Sequence, residues 1–344
     1  MSYQTPPTSE APDQTWIFDQ DKVLPGDVVL ERAEGKQSDA IALLTGGAFS
    51  HALIRIDGSD FIEAIGGGSR TIAVPRVVIE EPSRWRLLRY VGAGKHSRIV
   101  AEHAAIEARG LTFRRYNLKG ALASITPVRV KAPAALFCSE LVAEAFQRAQ
   151  APGFEGDTSQ VTPASLERSK AFISIEPLPL IAAPFDLPAD RSTAYAGTGM
   201  DRENQICQAA YAAVATDLPA LEPSRGPVRW PPGDVHEVIN LMAVCDPVLG
   251  RPIADKVHAI FAAGGYYNLL DPVKAEVLSH APTANRQVVQ GWRHSFERAA
   301  QNAETSAAYA AQRPWPLWLA LADLHARNAK FFATLVVQSP YPDP

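Results

Sequence analysis

Cys138, His51 and Glu63 are the residues of this sequence whose types and positions could carry out covalent chemistry. Cys138 falls at the predicted first turn of a helix, where unpaired N–H groups and the helix dipole stabilise a thiolate. A thiolate is a nucleophile, and histidine is its usual base. His51 opens a predicted strand of the same region, and a third group such as Glu63 would orient its imidazole. The three residue types together are those of a nucleophilic cysteine, its base and a group that orients the base.

Residues 51–65 must form a β-hairpin if His51 and Glu63 are to meet. The runs HALIRI and FIEAI read as strands around the turn DGSD. A two-residue turn at Gly58-Ser59 would put Glu63 on the face opposite His51, whereas a three-residue loop or a bulge would put both on one face. The sequence leaves the register open. The alternatives are Glu63 paired with Arg55, and His51 as a hydrogen-bonded edge histidine.

The nucleophile helix is predicted within ALFCSELVAEAFQRA (135–149), beginning near Cys138. Its apolar positions recur on one helical face. A second helix is predicted over 96–109, with Ile99, His103 and Ile106 at helical spacing and Gly110 at its end. The other elements predicted in this part of the chain are a strand in 24–32, one or two helical turns in 38–47, a strand at 84–90, a Thr162-capped helix at 163–170 and a strand in 172–178.

The pattern changes after the Pro-rich stretch 176–190, which reads as a linker. The remaining chain predicts helices alone, divided by proline and glycine, at 203–216, 235–244, 252–263, 272–280, 286–311 and 315–336. We therefore predict an α+β fold in which an antiparallel sheet and a nucleophile helix precede an all-helical domain. The boundaries are a disordered 1–15, a catalytic domain at 16–180, a linker at 181–190 and a helical domain at 191–344.

Composition excludes several classes of function. The chain has 344 residues and a formal net charge of −4, so nucleic acid is not an expected partner. The N-terminus lacks the pattern of a secretory signal, and no apolar run reaches the roughly 20 residues of a membrane helix. We expect a protein that is cytoplasmic as made, with a dedicated secretion system as the route if it is exported. Three cysteines predict neither a disulfide framework nor a zinc site, so no metal or cofactor is expected, and Cys207 and Cys245 are assigned to the core.

Four segments resemble one family of enzymes. HALIRIDGSDFIEA (51–64) resembles the histidine segment of the NlpC-type papain-like hydrolases, with His51 and Glu63 at the positions of the base and the orienting residue. Cys138 follows His51 in the chain, an order similar to that of the circularly permuted YiiX/YebB-like group. LPGDVVL (24–30), FCSELVAEAF (137–146) and VTPASL (161–166) resemble further segments of that group. The resemblance covers about residues 20–180.

The resemblance implies a permuted papain-like fold with Cys138 as nucleophile, His51 as base and Glu63 as orienting group. The Cys138 N–H and Tyr116 would hold the oxyanion, and Ser50 and Ser139 complete the predicted substrate-binding set. The expected reaction is cleavage of an amide bond, with cell-wall peptides as the favoured substrate class.

Three alternatives remain open for the function. A thiol lipase or acyltransferase acting on lipid esters would use the same triad and would contact a membrane. A catalytically inert domain would leave a binding module. A secreted antibacterial effector would use the helical domain to bind a partner or an immunity protein.

Four further features have less specific interpretations. His103 and Glu107 are read as a surface pair rather than half of a metal site. The glycines at 66–68 are read as a flexible rim of the cleft. Arg114 and Arg115 are read as a solvated face, with an anionic substrate group as the alternative. The C-terminal aromatic residues are assigned to the core: Trp292, Trp315, Trp318, Phe331 and Phe332.

Overall fold

A computed structural model shows an α+β protein with antiparallel sheets and a C-terminal helical region. It describes residues 15–32, 47–56, 60–65, 68–112, 114–116, 135–183, 200–221, 232, 234–284 and 286–342. The predicted disordered N-terminus up to residue 14 and most of the predicted helical turns at 38–47 lie outside these ranges. So do residues 184–199, which include most of the predicted linker.

The centre of the first domain is a six-stranded antiparallel sheet. Its strands are β2 (Val28–Glu31), β3 (His51–Arg55), β4 (Asp60–Ile65), β5 (Gly68–Ala73), β6 (Trp85–Tyr90) and β9 (Phe172–Ser174), in the spatial order β5-β4-β3-β2-β6-β9. Two smaller pairs accompany it. β1 (Trp16–Phe18) pairs antiparallel with β10 (Leu180–Ala182), and β7 (Arg115–Tyr116) pairs parallel with β8 (Ala135–Leu136).

Three helices complete this domain: α1 (Ser97–Arg109), α2 (Cys138–Arg148) and α3 (Pro163–Arg168). The sheet and helices enclose apolar cores on both faces of the sheet, and one of these cores includes Leu141, Val142, Ala145 and Phe146 of α2. These four residues are the predicted apolar face of the nucleophile helix, and all are fully buried. Thr162 caps α3 as predicted, because its hydroxyl accepts a hydrogen bond from the Ser165 N–H at 3.1 Å.

The secondary-structure elements in the described residues of the second part of the chain are all helices. Its helices are α4 (Met200–Val214), α5 (Val235–Val244), α6 (Pro247–Gly264), α7 (Asp271–His280), α8 (Arg286–Gln312) and α9 (Pro316–Gln338). These bounds confirm the six predicted helices to within a few residues. A separate core lies between them and draws its residues from Ile206 to Leu324, with none from the first domain. None of the helices in the described ranges is both long and apolar enough to span a bilayer.

Helix α1 forms where it is predicted, but its two isoleucines are not on the buried face. Ile99 and Ile106, which recur at helical spacing, are 55% and 61% exposed. The buried face of α1 consists of alanines instead: Ala101, Ala104, Ala105 and Ala108. Small residues are needed there because the backbone at Gly26 lies directly against helix α1. A Cβ on Gly26 would lie 2.3 Å from the Ala101 carbonyl oxygen.

Five strands did not emerge from the sequence pattern: β1, β5, β7, β8 and β10. β1 and β10 pair with each other, and β10 reaches Ala182, two residues into the predicted linker. β5 begins at Gly68, the last of the glycines at 66–68, so Gly68 belongs to a strand rather than to a flexible rim. Residues 66 and 67 lie outside the described ranges.

Candidate active site

His51 and Glu63 lie on the same face of the β3–β4 hairpin. Leu53 is directly opposite Glu63, and the Ile56 N–H donates to the Asp60 carbonyl, so three residues remain between the paired ends. This is the three-residue loop that puts His51, two positions before Leu53, on the side of Glu63. The His51 Nε2 and Glu63 Oε2 atoms are 2.7 Å apart. The open question of register is therefore settled in favour of contact between the two side chains.

Cys138 is the first residue of helix α2, at a position where backbone N–H groups have no acceptor within the helix. Phe137 precedes it in extended conformation, and the Phe137 N–H donates to the Glu140 side chain at 3.4 Å, which fixes the helix start. Cys138 is 7% exposed, and its side chain is one of the groups that act on the imidazole of His51. Since Nε2 of His51 is occupied by Glu63, Nδ1 is the ring nitrogen left for the sulfur.

The environment of His51 favours its protonated form. Burial is the largest single influence and lowers the pKa of His51, but hydrogen bonds to Cys138 and Glu63, together with their charges, outweigh it and raise the pKa to about 10. An imidazolium is therefore the stable form across the neutral range. Such a cation between a sulfur and a carboxylate can compensate a thiolate and can donate a proton to a leaving group.

Arg70 is a member of this site that sequence reasoning missed. Its Nε and Nη2 atoms both lie 3.0 Å from Glu63 Oε1, while Glu63 Oε2 binds His51. Glu63 is fully buried and sits directly opposite Arg70 in the β4–β5 register. Arg55, the alternative partner, donates to the carbonyls of Ile56 and Asp60. Only the register of β5, a strand not predicted, could have pointed to Arg70.

The residues predicted to bind the oxyanion or the substrate are Tyr116, Ser50 and Ser139, and the structure places them in different environments. Tyr116 pairs with Leu136 in the β7–β8 ladder, so its backbone lies beside the strand that leads into Cys138. The Tyr116 side chain is outside what the structure describes. The Ser50 hydroxyl lies 3.4 Å from the Glu31 carbonyl oxygen. The Ser139 hydroxyl is fully buried and donates to the Val161 carbonyl at 2.8 Å, which assigns it to anchoring α2 rather than to substrate contact.

Arg114, Cys207 and Cys245 are buried residues that stabilise the fold. Arg114 is neither solvated nor available to a substrate, because its guanidinium is buried against Asp234 at 3.4 Å and Glu237 at 3.2 Å. Cys207 and Cys245 are buried, as predicted, and burial raises the pKa of each thiol.

The C-terminal aromatic residues only partly follow their assignment. Trp315 and Trp318 belong to the helical core, whereas Trp292, Phe331 and Phe332 are half-buried. His103 is exposed, in keeping with a surface position. Within the described ranges, no group of three potential ligands could hold a metal ion.

Comparison with protein-family models and with curated proteins gives no match to this chain. The candidate site therefore has to be judged on its own geometry and on the resemblance of its motifs.

Proposed function

We propose that this protein is a cysteine hydrolase that cleaves an amide bond through an acyl-enzyme intermediate. The observation that carries the proposal is that Cys138 and Glu63 both act on the imidazole of His51, with Cys138 at the first position of helix α2. A nucleophile, a base bonded to it and a third group that orients the base are the parts that this chemistry needs. The permuted papain-like resemblance supports the same roles.

In the first step the Cys138 thiolate attacks the carbonyl carbon and forms a C–S bond. The His51 imidazolium then donates its proton to the leaving amine as the C–N bond breaks, which leaves a thioester and neutral imidazole. In the second step His51 takes a proton from water, the hydroxide attacks the thioester, and the carboxylic acid product leaves as the thiolate returns. Glu63 keeps the ring oriented through both steps, because it holds Nε2 and leaves Nδ1 for the reacting atoms.

The oxyanion formed in each step needs donors. The Cys138 N–H belongs to the first turn of α2 and has no acceptor within that helix, so it is available for this role. Tyr116 is proposed as the second donor on the strength of the resemblance and of its strand pairing beside Leu136.

Peptide stems of the bacterial cell wall are the proposed substrate class, on the ground of the resemblance alone. Lipid esters are the alternative. An amide requires protonation of its leaving nitrogen, and the high pKa of His51 makes a proton available at neutral pH. An ester leaving group depends less on that proton, so the site is better matched to an amide.

The first experiment measures the alkylation rate of each cysteine against pH by mass spectrometry, in the wild-type protein and in His51→Ala. We expect Cys138 to react fast well below pH 8, and we expect His51→Ala to slow that reaction. Cys207 and Cys245 serve as internal controls, because both are buried thiols with raised pKa values. A Cys138 that reacts no faster than these two would refute the proposal.

Substrate class is then tested by incubating wild type and Cys138→Ala with soluble cell-wall peptides and with phospholipid vesicles. Release of new amino groups from the peptides, lost in Cys138→Ala, would support amide cleavage. Release of fatty acid alone would replace the amide assignment with the lipid alternative.

A further inference from the structure

Glu63 depends on Arg70 for its position. The two residues are cross-strand neighbours, and Arg70 directs two nitrogens at the carboxylate oxygen that His51 does not use. Glu63 is fully buried, and a buried carboxylate is costly unless it is paired. The guanidinium therefore both compensates the charge of Glu63 and fixes the direction in which Oε2 points.

Strand β5, which carries Arg70, is at the edge of the sheet and pairs only with β4 among the six strands. Its outer side is held by the segment that follows α1. The Ser69 N–H donates to the Arg114 carbonyl at 2.8 Å, and the Arg114 N–H donates to the Ser69 hydroxyl at 2.7 Å. Ser69 also donates to the Leu111 carbonyl. Ser69, the neighbour of Arg70 in the chain, is thus hydrogen-bonded to Arg114 through both its backbone and its side chain.

Arg114 in turn is held by the helical domain. Its side chain is 3% exposed and lies against Asp234 and Glu237 at the start of α5. Glu237 is also 3.7 Å from Arg148 near the end of the nucleophile helix. The first turn of α5 in the helical domain therefore contacts both Arg114, which is hydrogen-bonded to β5, and Arg148 of helix α2.

Gly68 shows how closely the two domains approach at this strand. A Cβ there would lie 2.5 Å from the Arg114 carbonyl oxygen and 2.8 Å from Gln208 Nε2 on α4. The start of β5 thus packs closely between the segment that contains Arg114 and helix α4 of the helical domain.

We propose, on the basis of the function above, that Arg70 is a positioning residue of the Glu63–His51 pair and that the helical domain secures it through Arg114. The helical domain is then part of the catalytic apparatus without contacting substrate. Loss of the Arg114 ion pairs makes β5 more mobile, so that Arg70 no longer stays opposite Glu63. The hydrogen bond between Glu63 and the His51 imidazole is weakened as a result.

The test compares Cys138 alkylation against pH in the full-length protein and in Arg70→Gln, Arg70→Lys, Arg114→Gln and Glu237→Gln. Arg98→Gln is the matched control, because its ion pair with Glu102 is exposed on α1. Circular dichroism establishes that each variant is folded. The pH profile is the informative readout, since a purely structural role would change the melting temperature and leave the profile of the folded protein in place.

We expect Arg70→Gln to slow alkylation of Cys138 at pH 6.5 by about tenfold, which corresponds to about 1.4 kcal/mol. Arg70→Lys should recover part of that loss, because it keeps the charge without the planar fork. Arg114→Gln and Glu237→Gln should each slow the reaction roughly threefold, in the range that coupled positions show. Arg98→Gln should match wild type. If Arg70→Gln does not fold, Arg70→Lys decides the question.

The outcomes separate this inference from the proposed function. A wild-type Cys138 that is unreactive, or indifferent to His51→Ala, overturns both. A reactive, His51-dependent Cys138 whose profile is unchanged in the folded Arg70 variants overturns the positioning role and leaves the proposed function intact. Slower alkylation in the Arg70 variants with wild-type behaviour in Arg114→Gln and Glu237→Gln overturns the part assigned to the helical domain.

Discussion

At the scale of single residues, the site is a row of ionisable side chains. Cys138 and Glu63 both act on the imidazole of His51, and the guanidinium of Arg70 binds the carboxylate of Glu63. The buried carboxylate of Glu63 thus has a cationic partner at each of its two oxygens, which is the condition under which an ionised group can be buried. A substitution that removes one charge should therefore change the ionisation of the next residue as well as its orientation.

Glu63→Gln tests the electrostatic part of this arrangement. Glutamine keeps the shape and a hydrogen-bonding oxygen but lacks the charge that stabilises the imidazolium. An opposite charge in contact raises the pKa of a histidine by about 1–3 units, so the pKa of His51 should fall from about 10 by that amount. Proton NMR titration of the His51 ring gives the value directly. An unchanged pKa would mean that Cys138 alone sets the ionisation of His51.

The raised pKa of His51 also predicts how the stability of the protein depends on pH. The folded protein keeps the His51 proton up to about pH 10, whereas the unfolded chain releases it near 6.5. The folded state binds more protons between these values, so the free energy of unfolding should fall as the pH rises from 6.5 to 10. Below pH 6.5 the contribution should be complete.

Urea denaturation at half-unit steps of pH, compared between wild type and His51→Gln, isolates this contribution. The buried thiols of Cys207 and Cys245 lower stability in the same direction at high pH, but they do so equally in both proteins. A difference between the two curves that stays constant from pH 6.5 to 10 would contradict the prediction.

The sequence allowed Cys138, His51 and Glu63 to be selected, because helix start, strand start and motif spacing are local properties. Arg70 could not be selected in the same way. Its contact with Glu63 depends on the β4–β5 register, and β5 has no strong alternation of apolar residues. Arg114 was misread for a related reason: its partners Asp234 and Glu237 are more than a hundred positions away in the chain.

At the scale of elements, helices were more predictable than strands. Proline and glycine mark the ends of α4 to α9, and long periodic segments leave little ambiguity. β1, β7, β8 and β10 have only two or three residues each, which is too short for a period to show. Helix α1 was placed correctly, but the spacing of Ile99 and Ile106 does not mark its buried face, which consists of alanines.

Gly68→Ala tests the close contact at the start of β5. Gly68 has φ of +121°, and its Cβ would clash with the Arg114 carbonyl. We expect a loss of about 2 kcal/mol in the free energy of unfolding, together with slower alkylation of Cys138. Gly94→Ala is the matched control, because Gly94 also has positive φ, +57°, but has no atom within 4 Å of the added Cβ. Equal losses in both variants would show that backbone conformation alone, without the contact to Arg114, accounts for the effect.

At the scale of the whole molecule, the sheet domain and the helical domain have separate cores and are joined by buried and partly buried ion pairs. The core of the helical domain contains no residue from the sheet domain, so apolar packing alone does not explain why the two stay together. Arg114 and Arg148 face Asp234 and Glu237, and Arg298 on α8 pairs with Asp60 at the start of β4 at 3.0 Å. Charged contacts of this kind respond to pH, so the junction should be sensitive to the ionisation of its neighbours.

The helical domain should lose stability in mild acid. Burial lowers the pKa of His236, on the first turn of α5, to about 4. Burial, with the charge of His236, lowers the pKa of His325 on α9 to about 4 as well. The unfolded chain protonates both residues near pH 6.5, so it binds more protons than the folded state between 6.5 and 4. The free energy of unfolding should therefore fall as the pH drops through this window.

The double variant His236→Gln, His325→Gln should remove most of that loss, which we expect to amount to several kcal/mol at pH 4. Asp234 acts in the opposite sense, because burial raises its pKa and the folded state gains its proton first. The net loss should therefore be smaller than the loss caused by the two histidines alone. Urea denaturation followed by tryptophan fluorescence reports on this domain through Trp315 and Trp318 of its core. Parallel pH curves for the double variant and the wild type would show that the two histidines are not the groups that make the helical domain sensitive to acid.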